Sequence, residues 1–195
     1  MSYEFKLTRS VEFSETDMAG IMHFSNFFRF MEAAEHAFFR SLGLSVVLSR
    51  CGLGLHLPRV HAECDYQAPV RFEDEILIHL LLQKKGRRSL TYLFRFYRKS
   101  GSLRQQVARG QLVVVCAELG PNGLMKAVPL PNKVADKLQE APAHLLADTT
   151  VGPVSSGGKV SPQAQKNGGS ARRSGMRRTH GAPRSSSRAH SARKT

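Results

Sequence analysis

Near the N-terminus Tyr3, Phe5 and Leu7, then Val11 and Phe13, alternate with Glu4, Lys6 and Glu12, the period of a strand with one buried face. From Ser25 the period changes. Within NFFRFMEAAEHAFFRSL, Phe27, Phe28, Met31, Ala34, Phe38 and Leu42 recur at helical spacing and Gly43 follows as a stop. The pattern predicts a helix of about five turns, opened by Ser25 as a cap and carrying an aromatic-rich stripe. Leu44 to Cys51 predicts a further short helical turn. From Leu57 to Cys116 the chain reads as strand: Val60, Ala62, Cys64 and Tyr66 point one way, and Ile76, Ile78 and Leu80 form the next run. Tyr92, Phe94 and Phe96 alternate with Leu93, Arg95 and Tyr97, and Leu112 to Val115 is continuously apolar, as in a sheet interior. Turn residues at Ala68-Pro69, Lys85-Gly86, Ser100-Gly101 and Pro121-Asn122-Gly123 separate the runs, which makes them antiparallel neighbours with short connections. Val134 and Leu138, four apart within Pro131 to Glu140, predict a last short helix. One long apolar helix between a first strand and four later strands is an α+β domain, with the helix laid across the sheet.

Composition divides the chain. Of 29 Lys and Arg residues, 10 fall in residues 149–195, which hold none of the 15 Asp and Glu residues. That segment has 7 Gly, 9 Ser, 3 Pro, no aromatic residue and only Val151, Val154, Val160 and Met176 as large apolar residues. Such a composition cannot bury enough surface to offset chain entropy, so residues 149–195 are expected to be a disordered basic tail and residues 1–148 the folded domain. The domain itself is close to charge balance, and the high pI describes the tail. No apolar run has the length of a membrane-spanning helix, and MSYEFKLTRS lacks the apolar core of a signal peptide; a cytoplasmic protein with no membrane span is expected. Cys51, Cys64 and Cys116, an odd count without CxxC spacing, argue against a disulfide framework or structural zinc site and read as core thiols.

The candidate chemistry lies between the first strand and the helix, in Ser14 to Asn26. Asp17 is a loop carboxylate, and Gly20 permits a tight turn just before a helix N-terminus, where unpaired N–H groups and a positive partial charge gather. A carboxylate beside an array of donors suits acyl transfer: donors hold an oxyanion while the acid attacks or activates water. An isolated Asp-x-x-Gly more often merely completes a turn. His23 is a candidate substrate contact. His61 and Glu63 share the opposite face of their strand from Val60 and Ala62 and are candidates for a cleft wall, or for an ordinary exposed face. Glu32 and Glu35 lie on the helix. Lys84-Lys85-Gly86-Arg87-Arg88-Ser89 groups cations and a hydroxyl at a strand junction, a fit for phosphates.

EFSETDMAGIMHFSNFFRFMEAA, with Asp65-Tyr66-x-x-Pro69, Glu73-Asp74-Glu75-Ile76 and Pro129-Leu130-Pro131, resembles the hotdog-fold thioesterases of the 4-hydroxybenzoyl-CoA thioesterase type over about residues 3 to 140. The resemblance implies a five-stranded antiparallel sheet wrapped around a long central helix, paired into homodimers or homotetramers with active sites at the subunit interface. It implies an acyl-CoA thioesterase without metal or cofactor, in which Asp17 is nucleophile or general base and the Phe24 backbone N–H is the oxyanion donor. Gly20 then allows close approach of the acyl carbonyl, with His23, His61 and Glu32 as substrate contacts. On the same resemblance, Lys85, Arg87, Arg88 and Ser89 would hold coenzyme A.

Two other classes share this architecture. An enoyl-CoA hydratase needs a catalytic Asp and His in another motif context, with no equivalent here. A non-catalytic acyl-CoA or nucleic-acid binding module would use the tail, which has basic residues for nucleic acid or anionic surfaces but no aromatic residue to stack bases and no apolar face to enter a membrane. The acyl group stays open between aromatic, dihydroxynaphthoyl and short aliphatic chains, as does the choice between anhydride and general-base routes.

Overall fold

The computed structural model describes residues 1–48, 54–100 and 103–147, the side chains of Ser100 and Leu103 excepted. Cys51 and the tail 149–195 lie outside the described residues. In chain order the elements are β1 (Glu4–Ser10), a 3-10 turn (Phe13–Glu15), α1 (Asn26–Ser41), β2 (Leu55–His56), β3 (Arg59–Tyr66), β4 (Glu75–Lys85), β5 (Ser89–Ser100), β6 (Leu103–Val115), β7 (Ala117–Leu119), β8 (Met125–Ala127), α2 (Asn132–Ala135) and α3 (Ala143–Leu146). Five strands form one antiparallel sheet in the order β1-β4-β5-β6-β3, so the α+β expectation of a long helix on a five-stranded sheet holds.

The alternation in β4 and β5 decides which face the helix takes. Ile76, Ile78, Leu80 and Leu82 of β4, with Tyr92, Phe94 and Phe96 of β5, share one core with Phe27, Phe30, Met31, Ala34 and Phe38 of α1. The helical stripe is wider than the spacing indicated: Phe30 and Phe39 are fully buried, whereas Phe28 and Leu42 are only partly so. Close approach of helix and sheet depends on Gly110 of β6, which faces Phe94 and Cys64; a Cβ there would overlap Met31 and the Glu63 carbonyl.

Three local expectations are corrected. The first strand stops at Ser10. Phe13 does not continue its buried face but stands 76% exposed in the 3-10 turn, edge-on to Phe72 with centroids 5.9 Å apart. Ser25 is not a side-chain cap: its φ of −65° and ψ of −22° are already helical, and its hydroxyl turns to His23. Finally, β3 is bulged between Arg59 and His61, so Val60 does not point the same way as Ala62 and is 60% exposed. The extra residue instead turns Arg59 to the helix side.

Two additions were not evident in the pattern. The Pro121-Asn122-Gly123 turn closes a small hairpin, β7–β8, which joins β2 in a second, three-stranded sheet. On the sheet face away from α1, Ala141, Leu145 and Leu146 cover Leu81, Leu93 and Tyr3, and Arg95 Nη2 donates to the Leu146 and Ala147 carbonyls at 3.2 and 2.9 Å. Among the described residues, no helix is long and apolar enough to cross a membrane.

Candidate active site

The loop joining β1 to α1 is built around its own polar groups. Thr16 N–H donates to Phe13 O at 3.1 Å, Asp17 N–H to Ile21 O at 2.9 Å, and Gly20 N–H to Asp17 O at 2.9 Å. Gly20 has φ +71°, left-handed backbone that glycine adopts without strain, which explains its place at this turn. Met22 N–H reaches Val70 O at 2.7 Å and fastens the loop to the segment before β4. Asp17 is exposed at the loop tip, where Oδ1 accepts from Ala19 N–H at 2.8 Å.

The run of amides entering α1 has one gap. His23 N–H donates to Glu15 O, Ser25 N–H to His23 Nδ1, Asn26 N–H to His23 O, Phe27 N–H to Phe24 O and Phe28 N–H to Ser25 O. Among the described residues, Phe24 N–H has no acceptor. A helix start concentrates such donors, so this amide is available to an incoming oxyanion. The Phe24 side chain is 60% exposed, its ring stacked on His23 at 4.4 Å. His23 Nδ1 lies 2.8 Å from Ser25 Oγ and also accepts from Ser25 N–H at 3.4 Å, contacts that assign the neutral ring's proton to Nε2. Tyr66, closing β3, donates its hydroxyl to Phe24 O at 3.3 Å and sets its ring against Phe27 at 5.2 Å. Partial desolvation, helped by the neighbouring Cys64, raises the Tyr66 phenol to about 12. Asp17, Gly20, His23, Phe24 and Tyr66 are thus gathered at one end of the sheet.

The remaining candidates lie elsewhere. His61 and Glu63 face each other at 3.1 Å, paired opposite Val113 and Gln111, on the sheet face turned from α1. Glu32 is half-exposed and held 3.1 Å from Arg59 Nη2. The basic turn adjoins the far end of β4, whereas the Asp17 loop adjoins its beginning, a separation of about 33 Å at strand rise. In that turn Lys85 Nζ donates to the Ala135 and Leu138 carbonyls at 3.2 and 2.8 Å, while Arg87 and Arg88 are exposed. A cleft of about 410 Å³ runs between the turn and Pro129–Ala135, lined by Lys85, Gly86, Arg87, Leu130 and Asn132. One chain therefore does not bring the basic turn to Asp17.

Glu35, which the sequence pattern places merely on the helix, is one of the buried charged side chains, with Glu15 and Arg95. Glu35 is 1% exposed, and Arg59 Nη2 stands 2.6 Å from its Oε2. Burial raises this carboxyl to about 7 against the pull of Arg59. The signal was the alternation of Glu35 with Met31 and Phe38 at helical spacing, which puts it on the buried side. Among the described residues, no group of three or more His, Cys, Asp or Glu side chains is arranged to hold a metal ion.

Residues 11–138 match the family model described as the thioesterase-like superfamily. The chain belongs to this superfamily. Among its relatives, the 1,4-dihydroxy-2-naphthoyl-CoA hydrolase of Synechococcus elongatus is 30% identical over 137 residues, which cover 70% of this chain and 96% of that protein. The 1,4-dihydroxy-2-naphthoyl-CoA thioesterase structure from Synechocystis superposes with TM-score 0.59 at 27% identity, covering 69% of this chain and 94% of the other. The 4-hydroxybenzoyl-CoA thioesterase structure from Pseudomonas gives TM-score 0.61 at 21% identity, covering 70% and 99%, a likeness of fold. The superfamily member described here thus has the hotdog architecture, and the matched region contains the whole Asp17 loop and α1.

Proposed function

We propose that this protein is an acyl-CoA thioesterase that hydrolyses an acyl-CoA thioester to the free acid and coenzyme A. The observation that carries the reading is the Phe24 N–H at the start of α1, which has no acceptor among the described residues and lies on the same loop as the exposed Asp17 carboxylate. In the general-base route, Asp17 takes a proton from water as the water oxygen bonds to the thioester carbon. The carbonyl oxygen becomes an oxyanion that accepts a hydrogen bond from Phe24 N–H, and collapse expels the coenzyme A thiolate. In the nucleophilic route, Asp17 itself bonds to that carbon and expels the thiolate, leaving a mixed anhydride that water then cleaves. Both routes use the same donor and need no metal, because a thiolate is already a good leaving group.

The active form in this proposal is a homodimer or a pair of dimers. β3 is an edge strand, exposed over most of its length, with its own row of backbone groups available for pairing. Antiparallel pairing of β3 with its copy would set the Tyr66 end of one chain, beside Phe24, against the Arg59 end of the other. That second end lies beside the basic turn, because Ser89 pairs with Val115 and Val115 N–H donates to Pro58 O at 3.1 Å. A second copy is therefore what would supply Arg87, Arg88 and Ser89 to the coenzyme A phosphates, with Lys85 bracing the turn from behind. Exposed Phe24, Tyr66 and Met18 around the loop favour an aromatic acyl group, in line with the relatives' named substrate. Residues 1–148 carry this activity, and the basic tail adds at most a weak, salt-sensitive contact with nucleic acid or an anionic surface.

Thiol release from a panel of aromatic, dihydroxynaphthoyl and short aliphatic acyl-CoA esters tests the reading. Cleavage of an aromatic member is expected. No release from any member, with folded protein, would refute it.

A further inference from the structure

Glu15 and Asn26 are both buried, at 6% exposure each, although they flank an exposed loop. Their polar atoms are engaged inside the protein. The Glu15 carboxylate accepts from Arg9 Nη2 at 3.1 Å and from Glu12 N–H at 2.9 Å, and the Arg9 guanidinium lies 4.3 Å over the Phe30 ring. The Glu15 carbonyl oxygen accepts twice, from Asn26 Nδ2 at 2.7 Å and from His23 N–H at 2.8 Å. Residues 23–26 thus close a small ring on one oxygen atom. Phe24 lies within that ring, and its N–H is the amide the ring leaves without an acceptor.

We propose that Asn26, acting through the Glu15 carbonyl, is a positioning residue for thioester cleavage: its side-chain amide fixes the Phe24 N–H as an oxyanion donor. The inference rests on the thioesterase reading and adds a residue that touches neither substrate nor reacting atoms. Removing the Asn26 donor opens the ring on one side and leaves only the His23 amide on Glu15 O. Stabilisation of an oxyanion requires its donor at hydrogen-bond distance from where charge develops, so a displacement of this amide lowers turnover more than ground-state binding. The Arg9–Glu15 pair anchors the ring to β1, which allows a carboxylate to be buried there.

The test compares wild type, Asn26→Ala and Asn26→Asp, full-length and verified as folded by circular dichroism, with an acyl-CoA that the wild type cleaves. Asn26→Ala is expected to lose about 10- to 100-fold in kcat, with KM changed by less than about threefold. In the nearly isosteric Asn26→Asp, the ionised carboxylate lacks a donor for Glu15 O, but the protonated acid has one. Its kcat relative to wild type should therefore recover as pH falls from about 8 to about 5.5, while the Asn26→Ala ratio stays flat. A residue that only packs would lower melting temperature and give pH-independent ratios in both variants. Wild-type kcat in Asn26→Ala, or no acid recovery in Asn26→Asp, overturns the positioning role and leaves the thioesterase reading intact. Absence of wild-type thiol release across the whole panel overturns both.

Discussion

Arg59 Nη2 lies 2.6 Å from Glu35 Oε2 and 3.1 Å from Glu32 Oε1, which ties the first residue of the edge strand to the middle of the buried helix. The bulge at Val60 makes this contact, because regular alternation would place Arg59 on the face with His61. Glu35 is desolvated, with the hydroxyl of Tyr92 buried nearby and without a hydrogen-bond partner among the described residues. The pair therefore joins elements at an energetic cost that depends on protonation.

The Glu35 carboxyl is raised from near 4.5 to about 7. Between those values the folded protein holds a proton that the unfolded chain releases, so the contribution to stability is complete below about pH 4.5 and lost as pH rises through 7. Urea midpoints of wild type and Glu35→Gln, measured from about pH 5 to 8, should show wild type losing about 1 to 3 kcal/mol relative to the variant. A constant difference would show that Glu35 does not titrate there.

Arg59→Ala leaves Glu35 buried without its cation, and is expected to destabilise by about 1 to 3 kcal/mol at pH 8, less than a fully buried pair would lose because Arg59 is partly exposed. The loss should shrink at pH 5.5, where Glu35 is protonated. Equal losses at both values in denaturant titrations would contradict the coupling.

Asp17→Asn should lower kcat by about 10²- to 10⁴-fold, the usual contribution of a positioned base or nucleophile. Because the Asp17 side chain is exposed and, among the described residues, accepts only from Ala19 N–H, a donor that an amide oxygen can also accept from, the melting temperature should stay near wild type. Steady-state thiol release and a thermal melt on one preparation check both. Undiminished turnover removes Asp17 from its role.

Arg87→Ala with Arg88→Ala should raise KM for acyl-CoA about tenfold, the effect of losing a hydrogen bond to a charged group. The same acyl group carried on N-acetylcysteamine, which lacks the nucleotide, should show no such change. A KM increase for both esters would mean that the turn acts through structure.

The helix and the strands were legible because period separates them: Phe27, Met31, Ala34 and Phe38 can share a face only in a helix, and Tyr92, Phe94 and Phe96 only in a strand. The Asp17 loop was legible because its chemistry is local, a carboxylate, a glycine and a helix start within ten residues. Phe13 was misread because alternation alone does not reveal that the chain turns at Glu12 to bury Glu15 against Arg9. Glu35 passed as an unremarkable helix carboxylate, since the cation that accompanies it comes from 24 residues away.

By itself, then, the order of residues determined the elements, their faces and the acid that precedes the helix, all consequences of neighbours a few positions apart. Only the tertiary structure decided that a bulge sends Arg59 to Glu35, that Asn26 and His23 converge on one carbonyl oxygen, and that Phe24 N–H has no acceptor among the described residues. Those depend on distances between segments separated by loops, where a shift of one residue in register reverses the direction of a side chain.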